Sequence, residues 1–310
     1  MNNFIDNVYV INMDKDTDRL DKITKECNKF NIKFQRFTGI DSNTLSEKQK
    51  NKYITEFCKK YCTNGIIGCG ISHIKIYKDV INNNYNNVLI LEDDIYFKED
   101  FHSILNNTID ELPNDYDILY IGYFGLSSKN TYNDHNYLLK ILSNKKTEKN
   151  ILKTIYCPEF PLGTHAMIIS NKGCKKLLQI MNKLYWHIDW QISFNNKDLK
   201  IYATKKRIVH QIWEQSCNSN MLSFPKYPNT LINNIYDSNK VPYSYYFNVS
   251  LIKIGNIIFK FWHIIFFILG LLNIKYLNLF IIIYFIIDFD FYSFLIFLFG
   301  ILFNYKFFIL

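Results

Sequence analysis

The sequence predicts an α/β sandwich built on a mainly parallel sheet, followed by a hydrophobic helical segment at the C-terminus. Three observations carry this. β-favouring runs alternate with stretches of helical periodicity over residues 7–216. One of those runs, Val88 to Leu91, lacks the polar alternation of a strand with one face in water and reads as covered on both faces. From Ile257 onwards the chain is nearly all Ile, Phe, Leu and Tyr. With 310 residues, 48% hydrophobic and 17% aromatic, the chain can fill one large core and still carry an appendage.

The elements follow in order. "NVYVINM" (7–13) is an opening strand, Asp14 to Asp18 supply turn and cap chemistry, and a helix runs to about Phe30 with Leu20, Ile23 and Cys27 on one face. "IKFQRFTGID" is a second strand ending at Gly39. "GCGISHIKIYKDVINN" begins with glycines and continues as a helix whose apolar side holds Ile71, Ile74 and Val80. "VLILEDDIYF" (88–97) and "YDILYIG" (116–122) are strands, "THAMIISNKGCKKLLQIMNKL" is a strand running into a helix, and "KIYATKKRIVHQ" is a late strand. This βα alternation is the pattern of an α/β sandwich. The Asn/Lys-rich piece 127–150 reads as a long surface loop.

The tail splits into "FWHIIFFILGLLNI", "YLNLFIIIYFII" and "FYSFLIFLFGILF", separated by Lys275 and by Asp288 and Asp290. Each alone is shorter than the roughly 20 residues of a membrane span, so two tilted spans, a re-entrant hairpin, an interfacial anchor and a buried helical hairpin all remain open. The expectation is a membrane-associated protein: a cytoplasmic catalytic domain (1–225), a linker (226–250) and hydrophobic membrane-associated helices (251–310). The net charge of +8 is spread along the chain without a dense basic block, which argues against nucleic acid as a partner and fits an anionic membrane surface. "MNNFIDNVYVIN" has no basic stretch followed by a long apolar one, so no signal peptide is expected. Seven cysteines at irregular spacing read as unpaired thiols, with a zinc site of Cys58, Cys62, Cys69 and His73 as the alternative.

Glu92, Asp93 and Asp94 stand at the mouth of the core strand Val88–Leu91. Open α/β sheets bind ligands just beyond the carboxyl ends of their strands, and carboxylates clustered there can be held ionised by a hard cation. A solvated strand-end loop is the competing reading.

Six stretches in register resemble glycosyltransferase family 25, the lipooligosaccharide and procollagen galactosyltransferase group: "VYVINMDKDTDRL", "RFTGID", "GCGISHIKIYKDV", "LILEDDIYF", "PLGTHAMIISNKGCKKLL" and "HIDWQI". The resemblance spans about residues 7–216. It implies a GT-A-like fold, that is a Rossmann-type α/β/α sandwich, and a UDP-sugar donor, often UDP-galactose. It also implies Mn²⁺ or Mg²⁺ as cofactor and transfer with inversion to a glycan, a lipid-linked glycan or a hydroxylysine. A catalytically inactive membrane scaffold of the same fold, or a nucleotidyltransferase, are the alternatives.

Carried onto this chain, the acidic metal motif of such folds reads Glu92-Asp93-Asp94. Asp94 is the expected direct ligand, Glu92 a contact to ribose or a metal-bound water, and Asp93 a residue pointing into the structure. His210 matches a late histidine ligand, or is an ordinary strand-end histidine. Asn12 and Arg19 resemble a nucleotide-proximal pair, Arg19 being otherwise a helix-surface partner of Asp16 or Asp18. Ser72 and His73, after Gly68 and Gly70, fit a helix start whose free amides favour anions, or are structural. Gly163 and Thr164 suit close approach to the sugar, or form a plain turn. Inversion needs one general base. Asp189, among Trp186, Ile188 and Trp190, matches it, with a helix-capping role as the competing reading and Glu214 in reserve.

Overall fold

A computed structural model describes residues 4–124, 152–158, 160–212, 249–287 and 291–308. The expected loop 127–150, Glu214 and nearly all of the expected linker lie outside the described residues. The chain divides into two compact units, Met1–Gln215 and Ser216–Leu310.

In the first unit, β1 (Asn7–Asn12), α1 (Thr17–Lys29) and β2 (Gln35–Thr38) are followed by three helices: α2 (Glu47–Tyr53), α3 (Glu56–Tyr61) and α4 (Asn64–Asn82). Then come β3 (Asn87–Glu92), β4 (Ile95–Phe97), α5 (Phe101–Glu111), β5 (Ile118–Phe124) and β6 (Ile155–Tyr156). β7 (Leu162–Ser170) runs into α6 (Asn171–Ile180), and α7 (Ile188–Phe194), β8 (Ile201–Thr204) and β9 (Val209–Gln211) complete the unit. Seven strands form one sheet in the order β2-β1-β3-β7-β5-β8-β6. β1 is parallel to β2 and β3, and β5 to β8, while β7 runs antiparallel between β3 and β5 and β6 antiparallel beside β8. The sheet is therefore mixed, with a reversed strand at its centre. The reversal was hidden from the sequence because β7 is buried on both faces along nearly its whole length, and such a run looks the same in either direction.

β3 shows why its apolar run has no polar alternation. Val88 and Ile90 join a core with Ile71, Tyr77 and Leu184 on one face, whereas Leu89 and Leu91 join Val10, Ile23 and Phe101 on the other. The late stretch "KIYATKKRIVHQ" breaks in two: β8 stays in the main sheet, and β9 leaves it to pair antiparallel with β4.

The helix expected to start at the glycines starts earlier. Thr63 caps α4 by accepting from the Ile66 amide at 3.4 Å, so the amides around Gly68 and Gly70 lie inside the helix and are not free for an anion. The glycines serve packing. A Cβ on Gly68 would collide with the Ile40 carbonyl oxygen, and one on Gly70 with the Leu184 side chain. Cys58 and Cys62 are joined in a disulfide, which corrects the reading of unpaired thiols and removes both from the zinc alternative, whereas Cys27, Cys69 and Cys174 are free.

In the second unit β10 (Ser250–Ile254) and β11 (Ile257–Lys260) form a hairpin that turns through Gly255 at φ +59°. Three helices follow: α8 (Phe261–Leu272), α9 (Lys275–Ile287) and α10 (Phe291–Phe308). α8 and α10 approach closely because a Cβ on Gly270 would meet the Phe297 carbonyl and one on Gly300 the Phe267 carbonyl. Phe266, Ile281, Phe285 and Phe297 are buried together. Asn273, in the left-handed conformation at φ 47°, ends α8.

This overturns the expected membrane segment. No described helix is long and apolar enough to cross a membrane. The 12 residues of α8 and 13 of α9 span about 18–20 Å at 1.5 Å per residue, against the roughly 30 Å of a bilayer core. α10 is longer, but Asn304 and Lys306 interrupt its last turns. The membrane-associated, cytoplasmic placement that rested on this segment falls with it.

The close approach at Gly68 gives a stability test. Gly68→Ala should destabilise the first unit by about 1–3 kcal/mol, the usual cost of forcing extra volume into a well-packed core, despite alanine's better helix propensity. Urea unfolding of the full chain measures it, and an unchanged or raised midpoint would contradict the close packing of α4.

Candidate functional site at the acidic end of β3

β3 delivers Glu92, and the turn into β4 carries Asp93 and Asp94. Each carboxylate has its own partners. Asp93 is buried and accepts from Asn12 Nδ2 at 2.7 Å. Arg19, in the first turn of α1, forms an ion pair with Asp93 and stands 3.2 Å from Asp94 Oδ2. Arg19 thus turns to the strand-end acids rather than to Asp16 or Asp18. Arg36 of β2 fixes Asn12 from behind, donating through Nε to Asn12 Oδ1 at 3.0 Å. Asp94 is buried as well and takes Gln211 Nε2 at 3.1 and 3.0 Å on its two oxygens, while its carbonyl accepts from the Ile212 amide at 2.6 Å. Glu92 accepts from Thr164 Oγ1 at 2.8 Å and has His73 Nε2 3.7 Å away.

The same strand that carries Thr164 reaches Asp189. Gly163 adopts φ +84°, a left-handed conformation suited to glycine, and its amide donates to Asp189 Oδ2 at 2.8 Å. The Trp190 amide donates to Asp189 Oδ1 at 2.8 Å. Asp189 is the second residue of α7, whose N-cap is His187 with no side-chain cap hydrogen bond, so it does not cap that helix, and its two bonds hold the first turn of α7 against β7. Around it Trp190 packs against Trp186, Phe160 and Phe194 with ring centroids 5.2, 5.5 and 5.7 Å apart. Neighbouring residues Gly163 and Thr164 connect Asp189 to Glu92 in one run of hydrogen bonds.

The other expected residues fall elsewhere. Ser72 is buried and satisfied, accepting from the Ile40 amide at 2.9 Å and donating to the Gly68 carbonyl at 2.7 Å. The His210 ring stacks on Tyr96, with centroids 5.3 Å apart, and lies 3.3 Å from the Arg207 carbonyl. Its neighbour Gln211 is the residue of β9 that meets Asp94. Alternation along a strand explains the exchange, since adjacent side chains point to opposite faces. Gln211 and Arg36 escaped the sequence reading because neither is acidic, basic in the catalytic sense or nucleophilic. The alternation of "VHQ" could have pointed to Gln211 once β9 was placed.

Burial dominates the electrostatics. It pushes Asp94 up to about 8, with the charge of Glu92 adding and Arg19 partly offsetting. Burial also raises Asp93 against the pull of Arg19. For Glu92 burial acts upward too, but His73, His165 and the Thr164 hydroxyl outweigh it and the group is lowered. The Cys69 thiol is pushed well above its ordinary range by burial, and then by the charges of Glu92, Asp189 and Asp94, so these carboxylates all act on one thiol. Burial lowers His165 to about 3 and His210 to about 4, which keeps both rings neutral. Gly122 leaves room for the buried His165, since a Cβ there would stand 2.6 Å from its Nε2.

A glycosyltransferase family 25 (LPS biosynthesis protein) model matches residues 5–192. The human procollagen galactosyltransferase 2 is 21% identical over 231 residues, covering 66% of this chain and 35% of its own length. A glycosyltransferase 25 family member of Anopheles gambiae is 31% identical over 105 residues, covering 31% of this chain and 18% of its own. The chain therefore spans about a third or less of either relative. Among solved structures, a glycosyltransferase involved in the glycosylation of the major capsid of PBCV-1 aligns over 68% of this chain and 93% of its own at 9% identity, with a TM-score of 0.36.

Asp94 makes stability depend on pH. Its folded-state value lies above its unfolded one, so between about 4 and 8 the folded chain binds the extra proton and stability falls as pH rises. Asp94→Asn, in metal-free buffer, should flatten that fall. Melting temperatures of both proteins from pH 5 to 9 check this, and an equal slope in the two would remove Asp94 as its source.

Proposed function

The chain belongs to glycosyltransferase family 25, and we propose that it moves a hexose, galactose foremost, from a UDP-sugar to a hydroxyl of a glycan, lipid-linked glycan or hydroxylysine acceptor, with inversion and with Mn²⁺ or Mg²⁺. The observation that carries this reading is the hydrogen-bonded run from Glu92 through Thr164 and Gly163 to Asp189, which links an acidic strand end to a carboxylate among aromatic rings.

The donor set suits a hard cation. Asp94 offers two buried oxygens, and the buried Gln211 Oε1 beside it has no hydrogen-bond partner among the described residues. Oxygen ligands of this kind suit Mg²⁺ or Mn²⁺. A cation there would offset the negative charge that develops on the departing diphosphate. Arg19, always charged and already paired with Asp93, holds the turn in place and brings positive charge to the same region.

Asp189 is the proposed general base. Two backbone amides fix its carboxylate, and each oxygen keeps a second lone pair with which to accept the acceptor hydroxyl's proton. Trp186 and Trp190 offer flat apolar faces to a sugar ring. Asn12 and Asp93 support the nucleotide side, and Gly163 and Thr164 the sugar side. His73 belongs to the floor beneath Glu92. His210 and Ser72, given the contacts described above, have no part in the proposed chemistry. An inactive scaffold would not require so many contacts on three adjacent acids, although a structural role for them is the reading that the experiments below would restore.

Two variants separate binding from chemistry. Asp94→Ala should abolish Mn²⁺-dependent UDP-sugar binding in a folded protein. Asp189→Asn should keep that affinity and lower single-turnover transfer by roughly 10²- to 10⁴-fold, the range typical of a general base. Calorimetric titration of the full chain with UDP-galactose and Mn²⁺, together with release of UDP, measures both. Undiminished metal-dependent binding by the Asp94 variant would remove the cation from this strand end. Transfer at the parent rate by the Asp189 variant would move the base elsewhere, with Glu214 next to test.

A further inference from the structure

Glu92 has an inner side that the proposed transfer leaves unused. Cys69 and His73 stand one helical turn apart on α4, so both side chains leave the same face of that helix, and the end of β3 brings Glu92 against them. One donor atom from each of the three lies within 4.8 Å of the other two. His73 is completely buried, and neither of its ring nitrogens has a hydrogen-bond partner among the described residues. A buried imidazole ordinarily finds one.

The spacing explains the orphaned ring. His73 Nε2 and Glu92 Oε1 are 3.7 Å apart, too far for a hydrogen bond. In a tetrahedral zinc site, with Zn–S near 2.3 Å, Zn–N about 2.0–2.1 Å and Zn–O about 2.0–2.2 Å, neighbouring donors stand roughly 3.4–3.6 Å from one another. At 3.7 Å this pair stands slightly wider than two ligands of one ion, and all three donor atoms lie within 4.8 Å of one another. Thr164 Oγ1 donates to the same Glu92 oxygen at 2.8 Å, the kind of outer contact that holds a ligating carboxylate in orientation.

We propose that Cys69, His73 and Glu92 bind one divalent cation of the zinc class, separate from the harder cation of the donor site, with the fourth position open to water. Thiolate and imidazole select zinc or cobalt over Mg²⁺ and Mn²⁺, whereas Asp94 and Gln211 offer only oxygen. On binding, the Cys69 thiol gives up its proton to solvent and the sulfur–metal bond forms, with no change in oxidation state. The ion would pin α4 to the end of β3 and set the orientation of Glu92, one oxygen of which remains for the donor. The proposal concerns metal binding by these three residues and does not depend on the transfer reaction.

Cobalt is the probe. The metal-stripped full chain, titrated with Co²⁺, should develop thiolate-to-cobalt charge-transfer absorption that saturates at one ion per chain and is bleached by Zn²⁺. Cys69→Ser should abolish the band, and His73→Gln should weaken cobalt binding at least tenfold. Asp94→Asn should keep the band while losing Mn²⁺-dependent donor binding, so that failure of this site and failure of the donor-site reading give different results. If Cys69→Ser does not fold, X-ray absorption at the cobalt edge of the unaltered chain should show one sulfur among nitrogen and oxygen donors. Absence of the charge-transfer band from the unaltered chain, its survival in Cys69→Ser, an unchanged cobalt affinity in His73→Gln, or a cobalt shell without sulfur would overturn the proposal.

Discussion

Three carboxylates at the end of a buried strand must be kept apart electrically, and much of the first unit is arranged around that constraint. Like charges so close together at low solvent exposure disfavour their own ionisation. Each is therefore answered from a different element. β1 and α1 supply Asn12 and Arg19 to Asp93, β9 supplies Gln211 to Asp94, and β7 supplies Thr164 to Glu92. These partners come from regions as far apart in sequence as residues 12 and 211, so the site exists only when the sheet is assembled.

The reversed central strand is what makes this assembly possible. Running antiparallel to β3, β7 begins beside the carboxyl end of β3, which sets Gly163 and Thr164 level with the acids. Had β7 run parallel, its first residues would stand at the opposite edge of the sheet. Asp189 then closes the arrangement by accepting from the Gly163 amide, which ties the first turn of α7 to β7 beside the acids. Close contacts made possible by glycine do similar work beneath the site: Gly68 lets α4 approach the Ile40 carbonyl and Gly122 admits His165.

Much of this was legible in the sequence, for identifiable reasons. Strand β3 was plain because both faces are buried and the run is uniformly apolar. Helix α1 showed its face through Leu20, Ile23 and Cys27, of which Ile23 and Cys27 are fully buried. The motif series pointed to the family, and the family model covers residues 5–192. Less legible was the start of α4, where conspicuous glycines masked the cap at Thr63 one turn earlier. The tail misled more seriously: its three apolar runs, each already short of a span, read by composition as a membrane segment, whereas no described helix is long and apolar enough to cross a membrane and glycines let α8 pack closely on α10.

The sequence by itself determined the local facts: which runs are strands or helices, where acids follow a core strand, and to which family those motifs belong. Such facts depend on periodicity and residue type within a few neighbours, and these are written along the chain. Only the tertiary structure decided which partner each acid receives, that Gln211 and not His210 meets Asp94, that Arg19 turns to Asp93, and that Cys69 and His73 converge on Glu92. Those outcomes depend on strand direction, on register and on which face of a strand turns inward. A shift of one residue in register would exchange His210 for Gln211, and apolar patterning alone does not say which way a doubly buried strand runs.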